Sequence, residues 1–140
     1  MPLLVLRHAR AGKRREWQRD DRLRPLDEKG RRQAAGPPGL LTRFEIARIA
    51  SSPYLRCTQT VEPLGEQRGL PIDERRELEE GASLEESLAL LREVGDNAVL
   101  CTHGDVLLNL FGEAGQKGST RVAELRDGGR AVVEYLPPPG

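Results

Sequence analysis

Two histidines are all this 140-residue chain holds, His8 and His103, and each closes an apolar run: "LLVLRH" at 3–8 and "AVLCTH" at 98–103. Arg7 stands beside the first, Gly104 follows the second, and Arg56 lies between them in "SSPYLRCTQT" at 51–60. An imidazole and a guanidinium at the edge of a buried strand cost free energy unless an anion compensates them. Two guanidiniums suit the equatorial oxygens of a phosphoryl group, whose transfer is catalysed chiefly by positioning and charge stabilisation. Neighbouring arginines disfavour the imidazolium, so His8 is expected to keep a lone pair near neutral pH and to attack phosphorus as a nucleophile. Gly104 lets a ligand approach the free N–H groups of a helix start. "ELEEGAS" supplies Glu77, Glu79 and Glu80, any of which offers a carboxylic acid for the leaving oxygen.

Strands and helices must carry these groups to one place. Residues 2–7, 46–50 and 98–102 read as three strands, the first and third buried on both faces. Ser52-Pro53 reads as a helix start, which puts Arg56 in a first turn. Ligands bind outside the carboxyl ends of the strands in an open α/β sheet, so Arg7, His8, Arg56 and His103 are expected to meet there. Asp27 caps a helix to about residue 35, stopped by Gly36 and Pro37-Pro38-Gly39, and residues 40–44 are expected to add a turn. Pro63 is expected to kink or split the helix that ends by Gly69, and Pro71-Ile72 to form a short edge strand. Ser83 and Glu86 form a capping box for "SLEESLALLREV", and residues 106–111 read as a further helix. Residues 121–126 and 131–136 flank "DGG", a hairpin signal, and the closing Pro137-Pro138-Pro139-Gly140 is expected to fray. The predicted fold is a single-domain three-layer α/β/α arrangement, its sheet mainly parallel with helices on both faces.

The length suits one domain able to remove roughly two-thirds of its unfolded surface from water. Lys and Arg number 22, as do Asp and Glu, so net charge gives no reason to expect a nucleic-acid or membrane partner. Charge is nonetheless uneven. Residues 7–24 carry eight basic side chains against Glu16, Asp20 and Asp21, a loop that would draw in anionic substrates. Trp17 is expected to pin this loop. Cys57 and Cys101 have neither Cys-x-x-Cys nor metal-ligand spacing, and read as two buried reduced thiols, which favours the cytoplasm. The N-terminal apolar run is too short for a signal peptide, and no later one approaches a membrane span.

"LRHA" at 6–9, "SSPYLRCTQT" at 51–60 and "CTHGD" at 101–105 occur in one order along the chain. Together they resemble the defining motifs of the histidine phosphatase superfamily, with its phosphoglycerate-mutase-like fold. "RPLDEKGRRQA" at 24–34 is similar to the helix after that family's first catalytic loop. The resemblance implies that His8 becomes transiently phosphorylated, and that Arg7, Arg56 and His103 form the phosphate pocket. Leu78-Glu79-Glu80-Gly81 is similar to the family's acid-bearing pattern and favours Glu80 as proton donor, with Glu79 behind it. Ala9 departs from the usual Arg-His-Gly, in a form that resembles compact SixA-type phosphohistidine phosphatases and the phosphatase halves of some Nudix fusion proteins. Alanine tolerates positive φ poorly, so the turn after His8 is not expected to be left-handed.

The implied activity is hydrolysis of a phosphomonoester or phosphohistidine without cofactor or metal. A mutase is disfavoured, because the length leaves little room to enclose a sugar phosphate and exclude water. Nudix-linked relatives imply nucleotide di- or triphosphates instead; Trp17 would then stack on a base, and Lys13, Arg14 and Arg15 would meet the extra phosphates. The expected partner is thus a phosphorylated small molecule, a nucleotide or a phosphohistidine protein. A non-catalytic phospho-ligand module is the alternative from another class. A two-histidine metal site has no supporting carboxylate or thiolate at ligand spacing, and the arginines would repel a cation.

Overall fold

Strand β1 (Leu3–Arg7) sends Leu3 and Val5 to one side of the sheet and Leu4 and Leu6 to the other, each at most 1% exposed. β4 (Ala98–Thr102) does the same with Leu100 on one face and Val99 and Cys101 on the other. Strands apolar on both faces need cover on both faces, and the helices supply it. The computed structural model describes residues 2–126 and 129–139. Its sheet runs β3 (Ile72–Glu74), β2 (Arg48–Ser51), β4, β1, β5 (Thr120–Arg126), β6 (Gly129–Leu136). The first four strands are parallel; β5 and β6 are antiparallel additions.

Helices α4 (Leu84–Val94) and α5 (Gly104–Phe111) press Leu90, Leu91, Val106, Leu107 and Leu110 onto the Leu3, Val5 and Leu100 face. α3 (Leu55–Arg68) covers the opposite face with Cys57, Val61 and Leu64. α1 (Glu28–Ala34), capped by the Asp27 carboxylate on the Gly30 N–H at 2.8 Å, packs against α3. The predicted capping box of Ser83 and Glu86 forms at the start of α4. The three-layer α/β/α reading therefore holds, with Cys57 and Cys101 buried and unpaired. Among the described residues no helix is long and apolar enough to cross a membrane.

Four local expectations need correction. Pro63 does not split α3, which is continuous through it; Val61 and Leu64, both 0% exposed, lie beside it, and their packing offsets the one hydrogen bond proline removes. Pro37 does not merely stop α1 but opens α2 (Pro37–Leu40), its fixed φ suiting a first helical position, so the extra turn begins before residue 40. The helix after Ser52 starts at Leu55, with no side-chain cap, because the Ser52 hydroxyl is engaged elsewhere. The proline tail is not free: a Cβ on Gly36 would run into the Pro139 ring, and one on Gly118 would meet Pro138 at 3.3 Å. The strands of the C-terminal hairpin pair as expected, while Asp127 and Gly128 of its turn lie outside the described residues.

Truncating Leu100, 0% exposed at the sheet centre, is expected to cost about 3 kcal/mol. Denaturant unfolding of Leu100→Ala checks this; a loss under about 1 kcal/mol would mean the central strand does not carry the core.

Candidate active site

The parallel ladder continues past the strands. The His8 N–H donates to the Thr102 carbonyl and the Ser52 N–H to the Cys101 carbonyl, each at 3.0 Å. This aligns the carboxyl ends of β1, β2 and β4 and brings the His8 and His103 rings edge to face, centroids 5.3 Å apart. Beyond His8 the chain is tied on two sides. The Ala9 N–H donates to Thr60 Oγ1 on α3 at 2.9 Å, and the Gly118 N–H reaches the carbonyls of Arg7 and His8 at 3.2 and 3.0 Å.

His8 is 7% exposed, and its Nδ1 lies 2.8 Å from the Ala9 carbonyl. A carbonyl only accepts, so Nδ1 carries the hydrogen and Nε2 keeps its lone pair. Burial, ahead of the fields of Arg56, Arg7 and Lys117, pushes its pKa down to about 3, against the Ala9 hydrogen bond, which favours the charged form. The neutral imidazole is as expected, but burial rather than the arginines is the larger cause.

His103 Nε2 lies 2.9 Å from Ser52 Oγ and 3.5 Å from Cys57 Sγ. The Ser52 hydroxyl oxygen also accepts the Tyr54 N–H at 3.3 Å; a hydroxyl both donates and accepts, so this contact anchors Nε2 in either tautomer. Nδ1 is buried without a hydrogen-bond partner, 3.9 Å from Glu80 Oε2. Burial and the neighbouring His8 and Arg56 hold this imidazole down at a pKa of about 2.

Arg7 Nη1 donates to the Gly115 carbonyl, while its Nε is buried with no partner. Its guanidinium lies across the start of α5, where a Cβ on Gly104 would come within 2.9 Å of Cζ. Glycine lets the guanidinium lie this close; a side chain there would have to push it aside. Arg56 is 0% exposed and lies behind the cleft. Its guanidinium donates to the Asp21 carbonyl at 2.9 Å, to Asp21 Oδ2 at 3.1 Å and to Glu80 Oε2 at 2.8 Å, leaving Nε unpartnered. Glu80 is also held by Arg14 at 3.2 Å, and Asp105 accepts the Gly81 N–H at 2.7 Å, fixing the turn that carries Glu80.

A cleft of about 990 Å³ opens over these groups, lined by Arg7, His8, Glu80, His103 and Gly104. Of the three candidate acids Glu80 reaches it. Glu79 is not among its lining residues, and Glu77 is paired with Arg75 at 2.7 Å. Lys13 and Arg14 also line it, whereas Arg15 and Trp17 do not; the Trp17 indole donates to the Asp20 carbonyl at 2.9 Å. Among the described residues no three His, Cys, Asp or Glu side chains converge as metal ligands. Sequence reasoning missed Asp21, Ser52 and Thr60 as site residues. Ser52 was legible only as a helix cap and Asp21 only as one charge in a basic loop.

The sequence profile of the histidine phosphatase superfamily (branch 1) matches residues 3–87. The chain belongs to that superfamily. An 8-oxo-(d)GTP phosphatase of Mycolicibacterium smegmatis is 35% identical over 155 residues, covering 98% of this chain and 48% of its own length. The chain thus spans about half the length of this curated relative. The protein histidine phosphatase SixA complexed with tungstate superposes at a TM-score of 0.82 and 22% identity, covering 99% of this chain and 97% of that one. Bacillus stearothermophilus YhfR superposes at 0.78 and 19%, covering 94% and 95%. These two show that the fold is shared. The family match and the curated relative, itself a phosphatase, agree on the histidine phosphatase class.

Two outcomes follow for this domain. Unfolded histidine takes up a proton near pH 6.5, but folded His8 and His103 do so only near 3 and 2. Acidification from about 6.5 towards 3 therefore favours the unfolded chain, by about 2 kcal/mol per histidine at pH 5. Urea unfolding at pH 7 and pH 5 checks the sign, and His103→Asn should flatten the difference. Gly104→Ala should displace the Arg7 guanidinium and weaken vanadate binding about tenfold or more; unchanged affinity would show that Arg7 has room to move.

Proposed function

We propose that this domain is a metal-independent phosphatase acting in two steps through a phosphohistidine on His8. The observation that carries the reading is the Nδ1–H bond to the Ala9 carbonyl, which leaves Nε2 unprotonated beside Arg7 and His103. In the first step the Nε2 lone pair forms a bond to phosphorus while the bond to the leaving oxygen breaks, and Glu80 protonates that oxygen. In the second, water attacks phosphorus, the N–P bond breaks, and Glu80 takes the water's proton. Orthophosphate leaves and His8 returns to its neutral form.

Arg7, the Nδ1–H of His103 and the N-terminus of α5 at Gly104 bind the phosphoryl oxygens. Arg56 joins them when the incoming anion displaces the carboxylates that hold it. Substrates are phosphomonoesters or a phosphohistidine on a protein. A second reading, a nucleoside di- or triphosphate, is favoured by the 35% identity to the 8-oxo-(d)GTP phosphatase across 98% of this chain and by Lys13 and Arg14 in the cleft.

Turnover of p-nitrophenyl phosphate with EDTA present, abolished by His8→Ala, is the expected result; loss of turnover on chelation would defeat the metal-independent reading. Glu80→Gln should slow alkyl phosphates at least about tenfold more than p-nitrophenyl phosphate, whose leaving group needs little protonation. Equal slowing of both would remove Glu80 as the acid. Phosphate binding without turnover of any substrate would favour a non-catalytic module.

A further inference from the structure

The cleft carries more positive charge than one phosphoryl group uses. Seven of its lining side chains are basic and two acidic. Arg10, Arg14 and Arg24 are already paired, with Asp27 at 2.9 Å, Glu80 at 3.2 Å and Asp21 at 2.9 Å. Lys13, Lys29 and Lys117 have no carboxylate partner among the described residues, and Lys29 and Lys117 lie on the elements that pack together beside Arg7, α1 and the 112–119 loop. Lys117 is held in place by its backbone. Gly115 and Gly118 adopt φ of 71° and 85° on either side of it, the Gly115 carbonyl accepts from Arg7, and the Gly118 N–H is bonded to the carbonyls of Arg7 and His8. Burial, then the fields of Arg7, Arg24 and Arg10, lowers the pKa of the ammonium group, against the field of Asp27. Asp27, already paired with Arg10, is the carboxylate that offsets this field; a site that crowds several cations against so little counter-charge is complementary to an anion.

We propose that Lys117, with Lys29 of α1, forms a second anion subsite next to the phosphoryl pocket, so that the preferred ligand carries two linked phosphoryl groups. This deepens the phosphatase reading and rests on it for the identity of the first pocket. The subsite lies on the wall made by the 112–119 loop and α1, away from the Lys13 and Arg14 edge.

Non-hydrolysable probes test it without turnover. On the full chain in EDTA, methylenediphosphonate should bind at least about tenfold more tightly than methylphosphonate, and Lys117→Met should cut that preference to about threefold or less. Lys29→Met should move it in the same direction. Arg19→Met, which removes the same charge from outside the cleft, should leave the ratio intact and so separate a local subsite from the general field. Equal binding of both probes by the unaltered chain, no binding of either, or an equal loss for both in Lys117→Met would overturn the proposal. An intact diphosphonate preference in a chain that turns over no phosphate would sink the phosphatase reading and leave the subsite standing.

Discussion

A guanidinium with no solvent exposure has to meet an anion, and the site is arranged around how Arg56 does so. Without a substrate the anions are its own: Asp21 from the loop after β1 and Glu80 from the loop before α4 both sit on one Arg56 nitrogen. Arg14 bridges the same two carboxylates from the other side, at 3.6 and 3.2 Å. Two cations and two carboxylates thus close a ring that links three separated segments. Glu80 Oε2, 2.8 Å from Arg56 and 3.9 Å from His103 Nδ1, stands where a ligand oxygen would stand. Breaking such a buried pair from one side leaves an uncompensated charge, so the ring opens readily only to another anion. Selectivity for a phosphoryl group over a neutral ligand follows from that requirement.

The histidines obey the opposite rule. Burial beside cations keeps both rings neutral, and each ring is anchored through one nitrogen, His8 by the Ala9 carbonyl and His103 by the Ser52 hydroxyl and the Cys57 thiol. The Ala9 carbonyl only accepts, so His8 turns an unprotonated Nε2 away from it. Two identical residue types are thereby held differently, without a charge on either. The carboxyl ends of adjacent parallel strands make this possible, because the ladder bond from the His8 N–H to the Thr102 carbonyl fixes the backbone spacing before either side chain is placed.

Much of this was legible in the residues. Apolar runs of four at 3–6 and 98–101, the Ser83 and Glu86 capping box and the Arg-His and His-Gly pairs each announce themselves locally, and parallel topology does the rest. What could not be read were contacts between segments distant in sequence. Asp21 on Arg56, 35 residues apart, and Ser52 on His103, 51 apart, leave no local pattern. Pro63 misled because its local cost is certain while the packing that offsets it belongs to the sheet. The proline tail misled likewise: composition marks it as loose, and only the missing side chains of Gly36 and Gly118 give it a place to lie.

Ala9 shows how a departure from the family pattern is absorbed. Where glycine is usual, this residue is 0% exposed and packs with Leu26 and Ala34, joining the nucleophile's loop to α1. Its φ is not positive, since Asn97 is the one non-glycine residue with positive φ among those described. The methyl group buries apolar surface that glycine would lack, and its N–H is fixed by Thr60. With side chain and N–H both anchored, the Ala9 carbonyl has one orientation, and that carbonyl is what holds the His8 hydrogen on Nδ1. A glycine would satisfy the same hydrogen bonds with more backbone freedom to lose. Alanine at this position therefore reaches the His8 ring, through the rigidity of the acceptor behind it.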